Sequence, residues 1–227
     1  ETKLTGLDLS KAESLVSIST GAFAHTDITG TLMIPAKVKT IDGYAFLETK
    51  LTGLDLSNAA SLVSIGDYAF IATDITGTLV IPANVETIGD YAFDSTKLTG
   101  LDLSNAASLV SIGDFAFSVD GDITGTLVIP ANVKTLGIGA FYGTKLKGLD
   151  LSNAASLVSI GYYAFQRTDI TGTLVIPANV KTIGDGAFAY TKLTGLDLSD
   201  AASLVSIGLR AFGYTDITGT LVIPANV

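Results

Sequence analysis

Cysteine is absent from this chain. Disulfide bonds and thiolate metal sites are therefore excluded. Histidine is nearly absent: the only one is His25, so a serine nucleophile has no second imidazole to draw on as its base. His25 follows an Ala-Phe pair among small and polar neighbours and reads as a surface residue. No asparagine is followed two residues later by Ser or Thr, which excludes N-glycosylation. No apolar run approaches the roughly 18 residues that a membrane-spanning helix needs. Basic residues are scarce too, with 13 Lys and Arg against 22 Asp and Glu and a formal charge of −9. Such a surface repels the phosphates of nucleic acid and the headgroups of anionic membranes.

What the chain does have is repetition. Ala-Phe recurs with Phe at 23, 46, 70, 93, 117, 141, 165, 188 and 212, always 23 or 24 residues apart. Two coil types alternate. One runs Thr49-Lys50-Leu51-Thr52-Gly53-Leu54-Asp55-Leu56 and the other Thr73-Asp74-Ile75-Thr76-Gly77-Thr78-Leu79-Val80-Ile81-Pro82. The full period is thus a two-coil unit of 47 or 48 residues, and a unit of this size buries its apolar edge only against its neighbours. Apolar residues make up 48% of the 227-residue chain and charged residues 15%, as alternation between a packed interior and a small-residue surface requires.

The spacing predicts a β-rich solenoid of about nine stacked coils without domain boundaries. Leu54 and Leu56 point inward with Asp55 outward, because side chains alternate along a strand. Leu79 and Ile81 repeat the pattern around Val80, and Pro82 ends the strand for want of a ladder donor. Leu62, Ile65, Val85 and Ile88 line the opposite wall. Stacking at about 4.7–4.9 Å per coil brings the nine Phe into one interior column. Lys50, Asp74, Lys97 and their equivalents alternate in charge before the strand, so that each lysine is expected between two aspartates. The first residues, Glu1-Thr2-Lys3-Leu4, repeat Glu48-Thr49-Lys50-Leu51, and the chain stops at Val227 where sister copies continue. Residues 1–227 are accordingly expected to be one uncapped solenoid from a longer array.

The motif I-P-x-x-V-x-x-I-G-x-x-A-F, as in Ile81 to Phe93 and Ile176 to Phe188, recurs in every second coil. It resembles the BspA-like (Treponema pallidum-type) leucine-rich repeat family. The resemblance implies a leucine-rich solenoid, a cell-surface or secreted setting, and adhesion or protein binding, with no catalytic residues and no cofactor to carry over. Ala59 stands where the wider leucine-rich consensus has asparagine, which puts the usual buried asparagine ladder in question for that coil type.

A catalytic site would appear as titratable residues breaking the repeat, and none do. The carboxylates sit in equivalent columns, unlike the paired acids of glycosidases, and the glycines form no phosphate-cradling loop. One acidic feature stands out. Asp67, Asp90 and Asp114 follow the turn glycine in three successive coils without basic partners, so they either spread into water or hold a calcium ion. The Asp120-Gly121-Asp122 insertion nearby is too short for an EF-hand loop.

Variation between coils concentrates beside the Phe column. The two residues after each Phe never recur as a pair, giving His25, Glu48, Ile71, Tyr142, Gln166, Arg167, Tyr190 and Tyr214 among others. Before Ala-Phe stand Tyr44, Tyr68, Tyr91, Phe115, Tyr163 and Arg210. Together they predict a strip rich in tyrosine and mixed polar groups, a composition suited to recognising a protein or a surface glycan. Drift in a tolerant turn is the competing explanation. Two other classes remain: end-to-end self-association through the exposed coil faces, and an ice-binding face built on the column Thr2, Thr26, Thr49, Thr73 and Thr96.

Overall fold

A computed structural model describes residues 3–118 and 122–223. Thr2, Val119 and the Asp120-Gly121 part of the insertion lie outside them. Seventeen strands follow in chain order, with no helix among the described residues. They are β1 (Ser17–Ile18), β2 (Thr29–Met33), β3 (Thr40–Ile41), β4 (Lys50–Asp55), β5 (Ser64–Ile65), β6 (Thr76–Val80), β7 (Thr87–Ile88), β8 (Lys97–Asp102) and β9 (Ser111–Ile112). The rest are β10 (Thr124–Val128), β11 (Thr135–Leu136), β12 (Lys145–Asp150), β13 (Ser159–Ile160), β14 (Thr171–Val175), β15 (Thr182–Ile183), β16 (Lys192–Asp197) and β17 (Ser206–Ile207).

Each coil contributes to two walls. The odd-numbered strands form one continuous parallel sheet in the order β1-β3-β5-β7-β9-β11-β13-β15-β17, with Ile65 facing Ile88 and Ile88 facing Ile112. The even-numbered strands pair only two by two, as β2-β4, β6-β8, β10-β12 and β14-β16. The expected alternation holds in one coil type, where Leu79 and Ile81 are buried around exposed Val80; in the other Leu56 is buried, while Leu54 and Asp55 are both half-buried. Ala59 is fully buried and donates its N–H to the Leu56 carbonyl, so alanine fills the space in which an asparagine would stand.

Between the walls runs the Phe column. Every consecutive pair from Phe23 to Phe212 is stacked; Phe70 and Phe93 have centroids 5.2 Å apart, and Phe93 and Phe117 5.3 Å. The step exceeds the strand spacing because offset rings separate along their own planes. Each buried ring is worth roughly 1.5–3 kcal/mol in area alone.

Register departs from the sequence reading at strand entry. Lys50 lies opposite Thr29 rather than Asp27, and the ladder then shifts by one residue so that Thr31 faces Gly53. A Cβ on Gly53 would stand 2.6 Å from Thr31 Oγ1, which explains glycine there. Lys50 Nζ reaches back to Asp27 Oδ1 at 2.6 Å, as Lys97 does to Asp74 and Lys192 to Asp169. These lysines thus each bond the preceding coil's aspartate rather than sitting evenly between two, because strands pair backward and not forward at this edge.

Candidate recognition surface

The turn around each Phe is built from overlapping four-residue turns. In one coil Ala69 N–H donates to Gly66 O and Ile71 N–H to Tyr68 O. Neighbouring turns are locked by forward bonds, in which Phe46 donates to Ala69 O and Phe70 to Ala92 O at 2.8 Å each. On the short-strand wall the direction reverses, Gly66 donating back to Ile41 O at 2.7 Å. Successive turns are therefore held in strict lateral register.

This geometry forces two positions per coil into the left-handed backbone region. Among the described residues, every non-glycine residue with positive φ lies two before or two after a column Phe. The first set is Tyr44, Tyr68, Tyr91, Phe115, Tyr163 and Arg210, and the second includes His25, Glu48, Arg167, Tyr190 and Tyr214, with φ between 52° and 60°. Glycine fills the same columns at Gly21, Gly139, Gly186 and Gly143. A side chain in this region costs about 1–2 kcal/mol relative to glycine. Thirteen of the described residues accept that cost in two lines along one edge.

Most of the expected strip is thereby assembled. Tyr44, Tyr68, Tyr91 and Phe115 stack with centroids 4.9, 4.8 and 5.1 Å apart. The run stops at Gly139, where a Cβ would collide with the Phe115 ring. In the parallel line His25 Nδ1 lies 3.2 Å from Glu48 Oε2. Further along, Arg167 sits over the Tyr190 ring and Tyr190 stacks on Tyr214 at 4.5 Å. Burial in this apolar row raises the Tyr68 hydroxyl pKa above its ordinary value. Ile71, Tyr142 and Gln166 are set further in: their position, immediately after Phe, is half-buried or, at Ser118 and Ala189, buried.

The carboxylates of the acidic column turn to backbone N–H groups of the next coil. Asp67 Oδ1 accepts the Asp90 N–H at 2.9 Å, Asp90 Oδ1 the Asp114 N–H at 2.7 Å, and Asp114 Oδ1 the Ile138 N–H at 2.7 Å. Each carboxylate is handed to the next coil's backbone. Among the described residues no group of three or more acidic or histidine side chains is placed to hold a metal ion.

The described threonines of the column on which the ice-binding alternative rests are internal. Thr26, Thr49, Thr73 and Thr96 are buried, and Thr26 and Thr73 donate their hydroxyls to the Phe23 and Phe70 carbonyls. Thr144, Thr168, Thr191 and Thr215 close their turns in the same way, whereas the Thr49 hydroxyl is buried without a hydrogen-bond partner. Among the described residues no helix is long and apolar enough to cross a membrane.

The profile described as BspA type leucine rich repeat region matches this chain in six copies over residues 1–124 and 110–227. A search of curated proteins found no matching sequence. Among solved structures, the pneumococcal vaccine antigen PcpA aligns at 17% identity and a TM-score of 0.54, covering 93% of this chain and 78% of that one. YopM from Yersinia enterocolitica WA-314 aligns at 11% identity and 0.53, covering 90% of this chain and 44% of that one. A leucine rich cell surface protein from Faecalibacterium prausnitzii A2-165 aligns at 15% and 0.34, covering 90% and 87%. At such identities the likeness to PcpA and YopM bears on the fold alone.

Proposed function

This chain belongs to the BspA-type leucine-rich repeat family, and from that premise we propose that it is a non-catalytic recognition module whose contact surface is the turn strip. The observation that carries the reading is the left-handed backbone beneath the strip. Glycine fits these turns, as Gly143 and Gly186 attest, yet tyrosine, arginine, histidine and glutamate occupy most of them. Strained positions retained against an available relief point to use of the side chain.

The partner is a folded macromolecule, and protein suits the strip better than glycan. A sugar ring stacks on an open aromatic face, whereas Tyr68 and Tyr91 have neighbours stacked on both faces. In that run a ligand meets ring edges and phenol hydroxyls, and further along the Arg167 guanidinium and the exposed Tyr163 and Tyr214 rings, an assortment suited to protein surfaces. We assign the module to a cell-surface or secreted protein, following the occurrence of its family, with adhesion as its role.

The test is binding to a panel of purified extracellular proteins and glycans, comparing the native chain with an Arg167→Ala/Tyr190→Ala/Tyr214→Ala variant. The reading expects a protein hit that the variant weakens at least about tenfold, or 1.4 kcal/mol. Undiminished binding by the variant would remove the strip from the account.

A further inference from the structure

Both lines of the turn strip are interrupted in the same coil. Tyr44, Tyr68, Tyr91 and Phe115 fill the first line until Gly139, and Gly143 takes the matching place in the second. Among the described residues no other coil has glycine at both positions. The missing ring leaves a notch. A Cβ on Gly186 would stand 2.8 Å from Tyr163 Cδ1, and one on Gly139 would meet the Phe115 ring, so each ring leans over the glycine of the following coil. The ring that residue 139 lacks would therefore lie between those of Phe115 and Tyr163.

The notch has the width of one ring. Rings upstream are 4.9, 4.8 and 5.1 Å apart, so two such steps put Tyr163 about 10 Å from Phe115. At the strand spacing two coils advance about 9.4–9.8 Å. By either measure a ring set midway lies about 5 Å from both, inside the 4.5–7 Å range of offset-stacked aromatics. Exposure records the vacancy. Tyr44 and Tyr163, the column tyrosines that follow a glycine, are each 43% exposed, whereas Tyr68 and Tyr91 are half-buried. Among the described residues no ring stacks on Tyr163.

Its surroundings are apolar on one side and basic on the other. Where earlier coils have Asp67, Asp90 and Asp114, the two coils at the notch carry Ile138 and Tyr162. Lys145 and Lys147 lie just beyond Gly143 at the start of β12, and both are exposed. Lys147 stands where other coils have Thr52, Thr99 and Thr194. Lys50, Lys97 and Lys192 each bond the aspartate of the preceding coil, whereas Lys145 makes no ion pair among the described residues. Granted the turn strip as the contact surface, we propose that the notch receives an aromatic side chain of the protein partner, flanked there by acidic residues that meet Lys145 and Lys147. A sugar ring fits less well, because its hydroxyls need fixed donors and acceptors. Here the floor is glycine, the walls are rings, and Gln166 Nε2 is turned toward Gly186, 3.2 Å from where a Cβ would stand.

The probe is a capped peptide with a single phenylalanine between glutamates, titrated into the native chain by calorimetry. Binding is expected, and the same peptide with alanine for phenylalanine should bind at least about tenfold more weakly. Gly139→Tyr supplies the missing ring at a φ of 57°, close to the 59° of Tyr68, and should abolish binding. Tyr163→Gly removes one wall without adding bulk, so it reads the notch however Gly139→Tyr folds. That variant and Lys145→Glu/Lys147→Glu should each lose at least about tenfold, while Tyr190→Ala/Tyr214→Ala should lose nothing. Absence of binding by the native chain, equal binding of the alanine peptide, indifference to Tyr163→Gly, or capture of a sulfated oligosaccharide in place of the peptide would overturn the proposal. Should that happen while the extracellular-protein panel still returns a strip-dependent hit, the notch alone falls and the strip stands.

Discussion

The guanidinium carbon of Arg167 lies 5.8 Å from the ring centroid of Tyr190, one coil away, and both residues hold φ at 60°. Their contact is made by the stacking of identical turns, each of which sets a side chain outward at the price of backbone strain. A cation over a tyrosine face at an exposed site returns about 0.5–1 kcal/mol, which offsets only part of that strain. The arrangement is therefore not explained by stability alone.

Removing strain where no side-chain contact is lost should stabilise the fold. Ala72 has φ of 53° and carries only a methyl group. Ala72→Gly is expected to raise stability by about 0.5–1 kcal/mol, read as a higher urea midpoint, whereas Ala72→Val should lower it. A midpoint that falls for glycine would show that the turn is not strained.

The aspartate ladder makes a sharper distinction. Asp90 Oδ1 is the acceptor for Asp114 N–H. Asp90→Ala leaves that donor without its partner and should cost about 1–2 kcal/mol. Asp90→Asn keeps an oxygen there and should cost much less. Added Ca²⁺ should change neither denaturation curve; a calcium-dependent rise in midpoint would restore the cation reading.

Acid should loosen the long-strand wall. The carboxyls of Asp55, Asp102 and Asp150 lie below the ordinary value of 3.8, held there chiefly by hydrogen bonds from Ser57, Ser104 and Ser152. A depressed folded-state pKa stabilises above the unfolded value, and the gain disappears as pH falls through the folded one. Denaturation midpoints should thus decline as pH drops from 5 toward 3. The decline should be shallower in Asp55→Asn/Asp102→Asn/Asp150→Asn; an identical slope would contradict this assignment.

Deleting a ring from the column tests cooperativity. Phe117 is buried between Phe93 and Phe141. Phe117→Ala should destabilise the array by about 3–5 kcal/mol, and hydrogen exchange should quicken most in the flanking coils, since each coil contacts only its neighbours.

Much of this structure was legible because repetition turns sequence positions into columns. The Phe ladder, the buried Leu79 and Ile81 and the outward Val80 all follow from spacing and strand alternation. The burial of the threonines was not legible in the sequence, because only the turn's own geometry draws Thr73 onto the Phe70 carbonyl. The aspartate ladder was hidden for a similar reason: its acceptors meet backbone N–H groups, which have no sequence signature. The left-handed columns did leave a trace. Gly21, Gly139, Gly143 and Gly186 interrupt otherwise bulky positions, and glycine among bulky residues marks a backbone that disfavours them. Strand register lay beyond reach, because the two-residue offset of Lys50 from Asp27 depends on how far each coil swings before its strand begins.

The central claim is that side chains at left-handed turn positions are retained for recognition and not for folding. Its most direct measurement combines stability and binding in one variant, Tyr68→Gly/Tyr91→Gly/Arg167→Gly/Tyr190→Gly. The account predicts a chain at least as stable as the native one in urea that no longer binds the extracellular protein the native chain binds. A variant that unfolds readily, or one that binds undiminished, would contradict it.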